Sequence, residues 1–165
     1  DFLREIAGIP SKKAIQLGKQ AKVSLRTRML VFTRWCLVMI HFEKALYSNP
    51  QQDLNKTWWN LVEEYQLVKR PSGRNKPDWA SKTHIATAPV YYHNYLLGEL
   101  HASQLYFAMK RELKGKFKIV NNPQVGPFLV DKMFKHGSTK SWNLRLKEAT
   151  GEYLNPQFFV KQFVN

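Results

Sequence analysis

From Ser24 to Tyr47 the chain carries apolar residues at helical spacing: Leu25, Met29, Phe32 or Thr33, Cys36, Met39 or Ile40, and Phe42 to Leu46. The central part is apolar on nearly all sides. A helix of that kind is stable only inside other protein, and this one asks for a larger body than 165 residues would need. It is no membrane span. Met29 to Leu46 is interrupted by Arg34, His41, Glu43 and Lys44, and no run reaches the ~18 to 20 uninterrupted apolar residues that a bilayer requires. No signal peptide is visible, and the start at Asp1 without a Met leaves room for an upstream segment.

The remaining segments read as helices around this one. Gly8 and Pro10 mark a loop or frayed end, and Ser11 caps a helix over Lys12 to Val23, with Ala14, Ile15 and Leu17 apolar. Asn49-Pro50 stops the long helix, because proline disfavours a helical residue before it and cannot donate to the turn. Asp53 caps a helix to about Gln66, with Trp58, Leu61, Val62 and Tyr65 on one stripe and Trp59 on a second; the paired indoles read as core. Lys69 to Pro77 is a turn-rich basic loop. Pro89 pre-sets a first helical turn, with Thr87 near enough to satisfy free amides, and predicts a helix to about Arg111. Tyr91, Tyr95, Gly98, Ala102, Leu105 and Met109 share its face. Gly98, Ala102 and Ser103 are small enough for close approach of another helix, and Gly115 closes the segment. Lys116 to Val120 alternates weakly, as a short strand or an extended connection. Asn122-Pro123 and Gly126-Pro127 are two start signals in succession for a short helix to about Lys135, with Phe128, Leu129, Met133 and Phe134 inside, ended by Gly137. Trp142, Leu144, Leu146 and Ala149 lie on a helix ending at Gly151, and Asn155-Pro156 opens a last amphipathic helix with Phe158, Phe159, Val160 and Phe163. The expected class is all-α, multi-helix, with residues 1–165 as a single domain.

The formal charge is +14, which raises nucleic acid as a partner. The basic residues are spread along the chain, though, in clusters such as Lys69, Arg70, Arg74 and Lys76, or Lys110, Arg111, Lys114, Lys116 and Lys118. Such runs usually solvate a surface. The aromatics are not interleaved with them, and a basic all-α nucleic-acid-binding module, or an inactive interaction domain, stands as the alternative reading. The one cysteine, Cys36, excludes an internal disulfide and reads as a buried thiol.

Common catalytic sets are missing. The chain has no HExxH, no Cys pair, no Gly-x-Ser-x-Gly and no Gly-Lys-Ser/Thr. His93 and His101 are eight residues apart, roughly 12 Å along a helix, and cannot share an ion unaided. No zinc is expected on this chain alone. One stretch is nevertheless rich in chemistry: Asp78 to Tyr95 packs Lys82, His84, His93, Tyr91, Tyr92 and Tyr95 about Pro89. In an extended segment Lys82 and His84 point the same way. Tyr92 and Tyr95, three apart on a helix, face one side. A lysine suits a carboxylate, and a tyrosine hydroxyl or histidine N–H can donate to a carbonyl or developing oxyanion. Such a set can hold the carboxylate end of a peptide and stabilise a tetrahedral intermediate. The plain alternative is a helix whose tyrosines pack in the core.

These residues carry a resemblance. Ser81-Lys82-Thr83-His84-Ile85 followed by Pro89-Val90-Tyr91-Tyr92-His93-Asn94-Tyr95 resembles the C-terminal part of the angiotensin-converting-enzyme-like peptidyl-dipeptidases, zinc metallopeptidases of the gluzincin type. Leu97 to Leu105 is similar to a helix of the Taq-type carboxypeptidases. Trp58-Trp59 with Tyr65-Gln66, and Thr150 to Phe163, are similar to further parts of the converting-enzyme family. The resemblance implies a larger, mostly helical peptidase fold with a substrate cleft, of which this chain is the C-terminal portion. It implies a peptide substrate with a free C-terminus, held at its carboxylate by Lys82 and Tyr92. His84 would donate to a substrate carbonyl and Tyr95 would stabilise the oxyanion. Zinc and its HExxH would belong to an upstream portion, the chain's partner. One residue of extra length separates His84 from the tyrosines, so Tyr91 rivals Tyr92. The family's chloride-binding arginine before the last tyrosine is replaced by Asn94.

Overall fold

The computed structural model describes residues 2–113 and 117–164. All regular structure among them is helical. Contacts divide the chain into two compact units, residues 1–92 and 93–165.

The first unit is built on one long helix. After a short helix, α1 (Phe2–Glu5), α2 runs without a break over Ser11–Ser48, about 57 Å at the standard rise. The expected boundary at Ser24 is absent. A serine caps only where the backbone leaves the helix; without a proline nearby, Ser24 stays an ordinary helical residue. Pro10, not Ser11, takes the position before the first turn. At the far end Asn49 is extended, as the following Pro50 requires. Burial is confined to the C-terminal part of α2. Met29, Cys36, Val38, Met39, Phe42 and Glu43 are buried, whereas Ile15, Val23 and Leu25 are exposed.

α3 (Leu54–Gln66) packs against that buried part. Asp53 caps it as expected, its Oδ1 accepting the Lys56 N–H at 2.9 Å. Phe42 of α2 meets Trp58 of α3 edge-on at 5.1 Å, and Trp35 meets the same ring at 5.8 Å. Trp58 is fully packed, while Trp59 is half-buried and turns its indole N–H to Asp78 Oδ2 at 3.1 Å. Arg34 crosses from α2 to donate to the backbone carbonyls of Tyr65 and Glu64. These contacts pin α3 along α2 at both its start and its end.

A 3-10 turn (Asp78–Ser81) and a short helix, α4 (Thr83–Thr87), complete the unit. An extended Lys82 to His84 and a helix starting at Pro89 are the expectations from sequence. Instead His84 lies inside α4, and the next helix begins at His93. Pro89 forms a turn with Val90, whose φ of 55° no helix accommodates.

The second unit comprises α5 (His93–Glu112), α6 (Val125–Lys132), a 3-10 turn (Phe134–His136), α7 (Trp142–Thr150) and α8 (Gln157–Phe163). α5 packs on α7 and α8. Ala108, Met109, Val125 and Phe128 form a buried cluster. Leu146 and Ala149 of α7, with Phe159 and Phe163 of α8, are also buried. α7 ends as expected: Gly151, at φ 98°, returns its N–H to Lys147. Gly98 is not a close-approach point, since a Cβ there would meet no described atom within 4 Å. Gly98 and Ala102 share an exposed face, and the buried small residues, Ser103 and Ala108, lie elsewhere round the helix. Arg111 is more than a solvated charge, for its guanidinium donates to the Thr150 carbonyl at 2.9 Å. Gly115 and Lys116 lie outside the described residues; Phe117 and Lys118 are not in a strand.

The polar centre of this unit is Gln104, fully buried on α5. Its amide nitrogen donates to Thr150 Oγ1 at 2.8 Å and to the carbonyls of Glu152 and Tyr153. Its oxygen accepts the Asn155 N–H at 2.8 Å. One side chain thus satisfies the connection from α7 to α8. Gln104→Leu would keep the volume and strip those partners of their bonds, which costs about 2 to 4 kcal/mol. Urea unfolding checks this; a loss below about 0.5 kcal/mol would mean that the network is dispensable.

Candidate functional site

Three of the four sequence-predicted residues lie in the first unit: Lys82 and Tyr92 touch Trp35 of α2, and His84 touches Tyr92. Lys82 sits just before α4 with extended backbone. Its ammonium lies 5.0 Å from the Trp35 ring centroid, a cation–π contact. Among the described residues no ion pair takes up Lys82. Tyr92 is buried, and its hydroxyl oxygen accepts the Trp35 indole N–H at 2.7 Å. The His84 ring meets the Tyr92 ring edge-on at 4.9 Å. Lys82 and His84 are therefore arranged through Trp35 and Tyr92, and not as neighbours on one side of an extended segment.

Tyr95 belongs to the second unit, in the first turn of α5, with its side chain exposed. The expected pairing of Tyr92 and Tyr95 on one helical face does not form, because Tyr92 precedes the helix. Tyr91 is exposed (46%) where Tyr92 is not (8%).

The segment bearing Lys82 is fastened to α3 by indoles and a carboxylate. Trp79 packs against Phe42 at 5.5 Å and donates to Asn55 Oδ1 at 3.1 Å. Asp78 accepts from Trp59 and from Arg74, whose Nε lies 2.7 Å away. The Arg74 hydrogen bond, ahead of the weaker one from Trp59, holds the Asp78 carboxyl below its ordinary range against the opposing effect of desolvation. A groove of about 530 Å³ opens beside Lys82, walled by Trp35, Trp58, Trp59 and Val62. Among the described residues no three His, Cys, Asp or Glu side chains stand together to hold a metal ion. This donor set does not fit zinc.

The model of the peptidase M2 family, angiotensin-converting enzyme, matches residues 34–163. The chain belongs to this family. Carboxypeptidase 1 of Bacillus subtilis (strain 168) is 24% identical over 159 residues, 93% of this chain and 31% of that protein. Angiotensin-converting enzyme-like protein Ace3 of Mus musculus is 32% identical over 105 residues, 59% of this chain and 14% of that protein. The chain thus spans less than a third of the length of either relative. No solved structure matches it. The family match runs from α2 to α8 and includes Trp35, Lys82, His84, Tyr92 and Tyr95. The peptidase M2 relationship thus covers the residues that surround the Trp35 indole.

Sequence reasoning passed over two residues here. Trp35 was hidden in an apolar run, although it is the one indole between Ser24 and Tyr47. Glu43 reads in sequence only as an interruption of that run, although an acid in the buried part of a helix needs a partner. Trp35→Phe removes the donor to Tyr92 and leaves most of the ring packing. It should lower the stability of the first unit by about 1 kcal/mol in chemical denaturation. No change would argue that the 2.7 Å contact contributes nothing in solution.

Proposed function

We propose that this chain supplies the substrate-binding and oxyanion-stabilising groups of a peptidyl-dipeptidase, an enzyme that removes dipeptides from the C-termini of peptides. Lys82 and Tyr92 take the substrate's terminal carboxylate. Lysine provides a compact positive charge and tyrosine a directed hydroxyl proton. His84 donates a ring N–H to a substrate carbonyl. Tyr95 donates to the oxygen on which negative charge develops as the scissile carbonyl becomes tetrahedral. The zinc of this family is held by residues outside these 165, in the remainder of the peptidase, which is the chain's partner.

The observation that carries this reading is the convergence on Trp35. An ammonium with no carboxylate partner among the described residues and a tyrosine hydroxyl are drawn to the two sides of one indole, its face and its N–H. A lysine committed only to surface solvation would not need such an arrangement. Family membership supports a peptide substrate. The 31% and 14% coverage of the relatives supports a division of labour with a further portion. The burial of Tyr92 beside Trp35 favours it over the exposed Tyr91 for the carboxylate.

Two substitutions in the intact peptidase test the assignments separately. Lys82→Ala should raise KM for free-acid peptides roughly 10- to 100-fold and leave amidated peptides nearly unaffected. Equal effects on both substrates would rule out a carboxylate role. Tyr95→Phe should lower kcat roughly 100- to 1000-fold with little change in KM, the pattern of a bond made only in the transition state. A Tyr95→Phe enzyme with unchanged kcat would remove Tyr95 from the mechanism.

A further inference from the structure

We propose that Glu43 is a positioning residue for Tyr92: it holds the turn before Tyr92 in a conformation that the turn's own residues resist, and so sets where the Tyr92 hydroxyl lies. The functional consequence rests on the carboxylate-binding reading of Tyr92 given above.

Three observations carry it. Val90 has φ 55°, in the left-handed region, where a β-branched side chain is crowded. The residue is 62% exposed, so little apolar packing offsets that crowding. The Val90 N–H is instead taken by Glu43 Oε1 at 2.7 Å, and Glu43 is buried on α2. A buried carboxylate receiving a backbone N–H makes one of the stronger hydrogen bonds available to a protein.

Glu43 and Trp35 lie eight residues apart on the same helix, a separation of about 12 Å along its axis. α2 therefore grips the segment at two points, the Val90 amide and the Tyr92 hydroxyl. Pro89 limits the freedom of the chain on the entry side. With the amide fixed and the turn direction set, Tyr92 has one approach to the Trp35 indole. Without Glu43, Val90 relaxes toward negative φ, the chain swings at the turn, and Tyr92 leaves Trp35. Glu43 itself touches neither substrate nor reacting atoms in this scheme.

The test uses the peptidase carrying this chain, in wild-type form and as Glu43→Ala, Glu43→Gln and Glu43→Ala with Val90→Gly. Tryptophan is labelled with nitrogen-15, and the Trp35 indole resonance is assigned by its loss in Trp35→Phe. Glu43→Ala should shift that resonance. It should also raise KM for free-acid peptides about tenfold, with kcat and amidated peptides little changed. Glu43→Gln keeps an oxygen acceptor and should sit within about threefold of wild type. Adding Val90→Gly removes the crowding at positive φ and should recover most of the loss. If Glu43→Ala does not fold, Glu43→Leu, which fills the same space without an acceptor for the Val90 N–H, carries the same comparisons alone and with Val90→Gly.

An unmoved Trp35 resonance in Glu43→Ala overturns the proposal. So does a shift that Val90→Gly does not reverse, or a KM change shared equally by free and amidated peptides while Lys82→Ala still discriminates between them. If Lys82→Ala shows no discrimination, the carboxylate reading fails by itself, and the indole resonance alone decides whether Glu43 positions Tyr92.

Discussion

The Trp35 indole is used on three sides, and the first unit's chemistry depends on that. Its ring meets that of Trp58 at right angles, its N–H is given to Tyr92, and its face lies under the Lys82 ammonium. Each use constrains the others. The Trp58 contact fixes the ring to α3, the ring then fixes the phenol oxygen, and the charge settles over the remaining π surface. An aromatic residue suits this junction because it combines a large buried area with one directed donor and a negative face. No aliphatic residue in the same run of α2 offers more than the first of these.

The helical class and most element boundaries were legible because their signals are local. Asp53, Asn49-Pro50, Gly151 and Pro156 all act through their own backbone or the next turn, and each stands where its chemistry places it. The break expected at Ser24 fails for the same reason in reverse. Serine is permissive in either setting, and nothing within its own turn decides between them. The segment from Lys82 to Tyr92 was misread in detail because its conformation is set from outside. Pro89 looked like a helix start, yet the carboxylate of Glu43, 47 positions from Val90 in sequence, helps to hold a turn there. A bond of that separation leaves no mark in a local pattern.

The candidate residues were chosen by type, and their arrangement was not legible. Lysine, histidine and tyrosines in one polar stretch read as a working surface, and the family match spans that stretch. Their geometry depends on Trp35, which lay in a run that reads as core. Half-buried indoles with polar duties are hard to separate by sequence from fully packed ones. Trp58 and Trp59 are adjacent, and only Trp58 is fully core, while Trp59 spends its N–H on Asp78.

Cys36 lies on α2 one residue from Trp35, is fully buried, and is the only cysteine in the chain. The second unit has none. A thiol reagent can reach that sulfur only when the packing around it opens, so its reaction rate times those openings. The molecule thus carries a native chemical reporter one residue from the tryptophan on which Lys82 and Tyr92 converge.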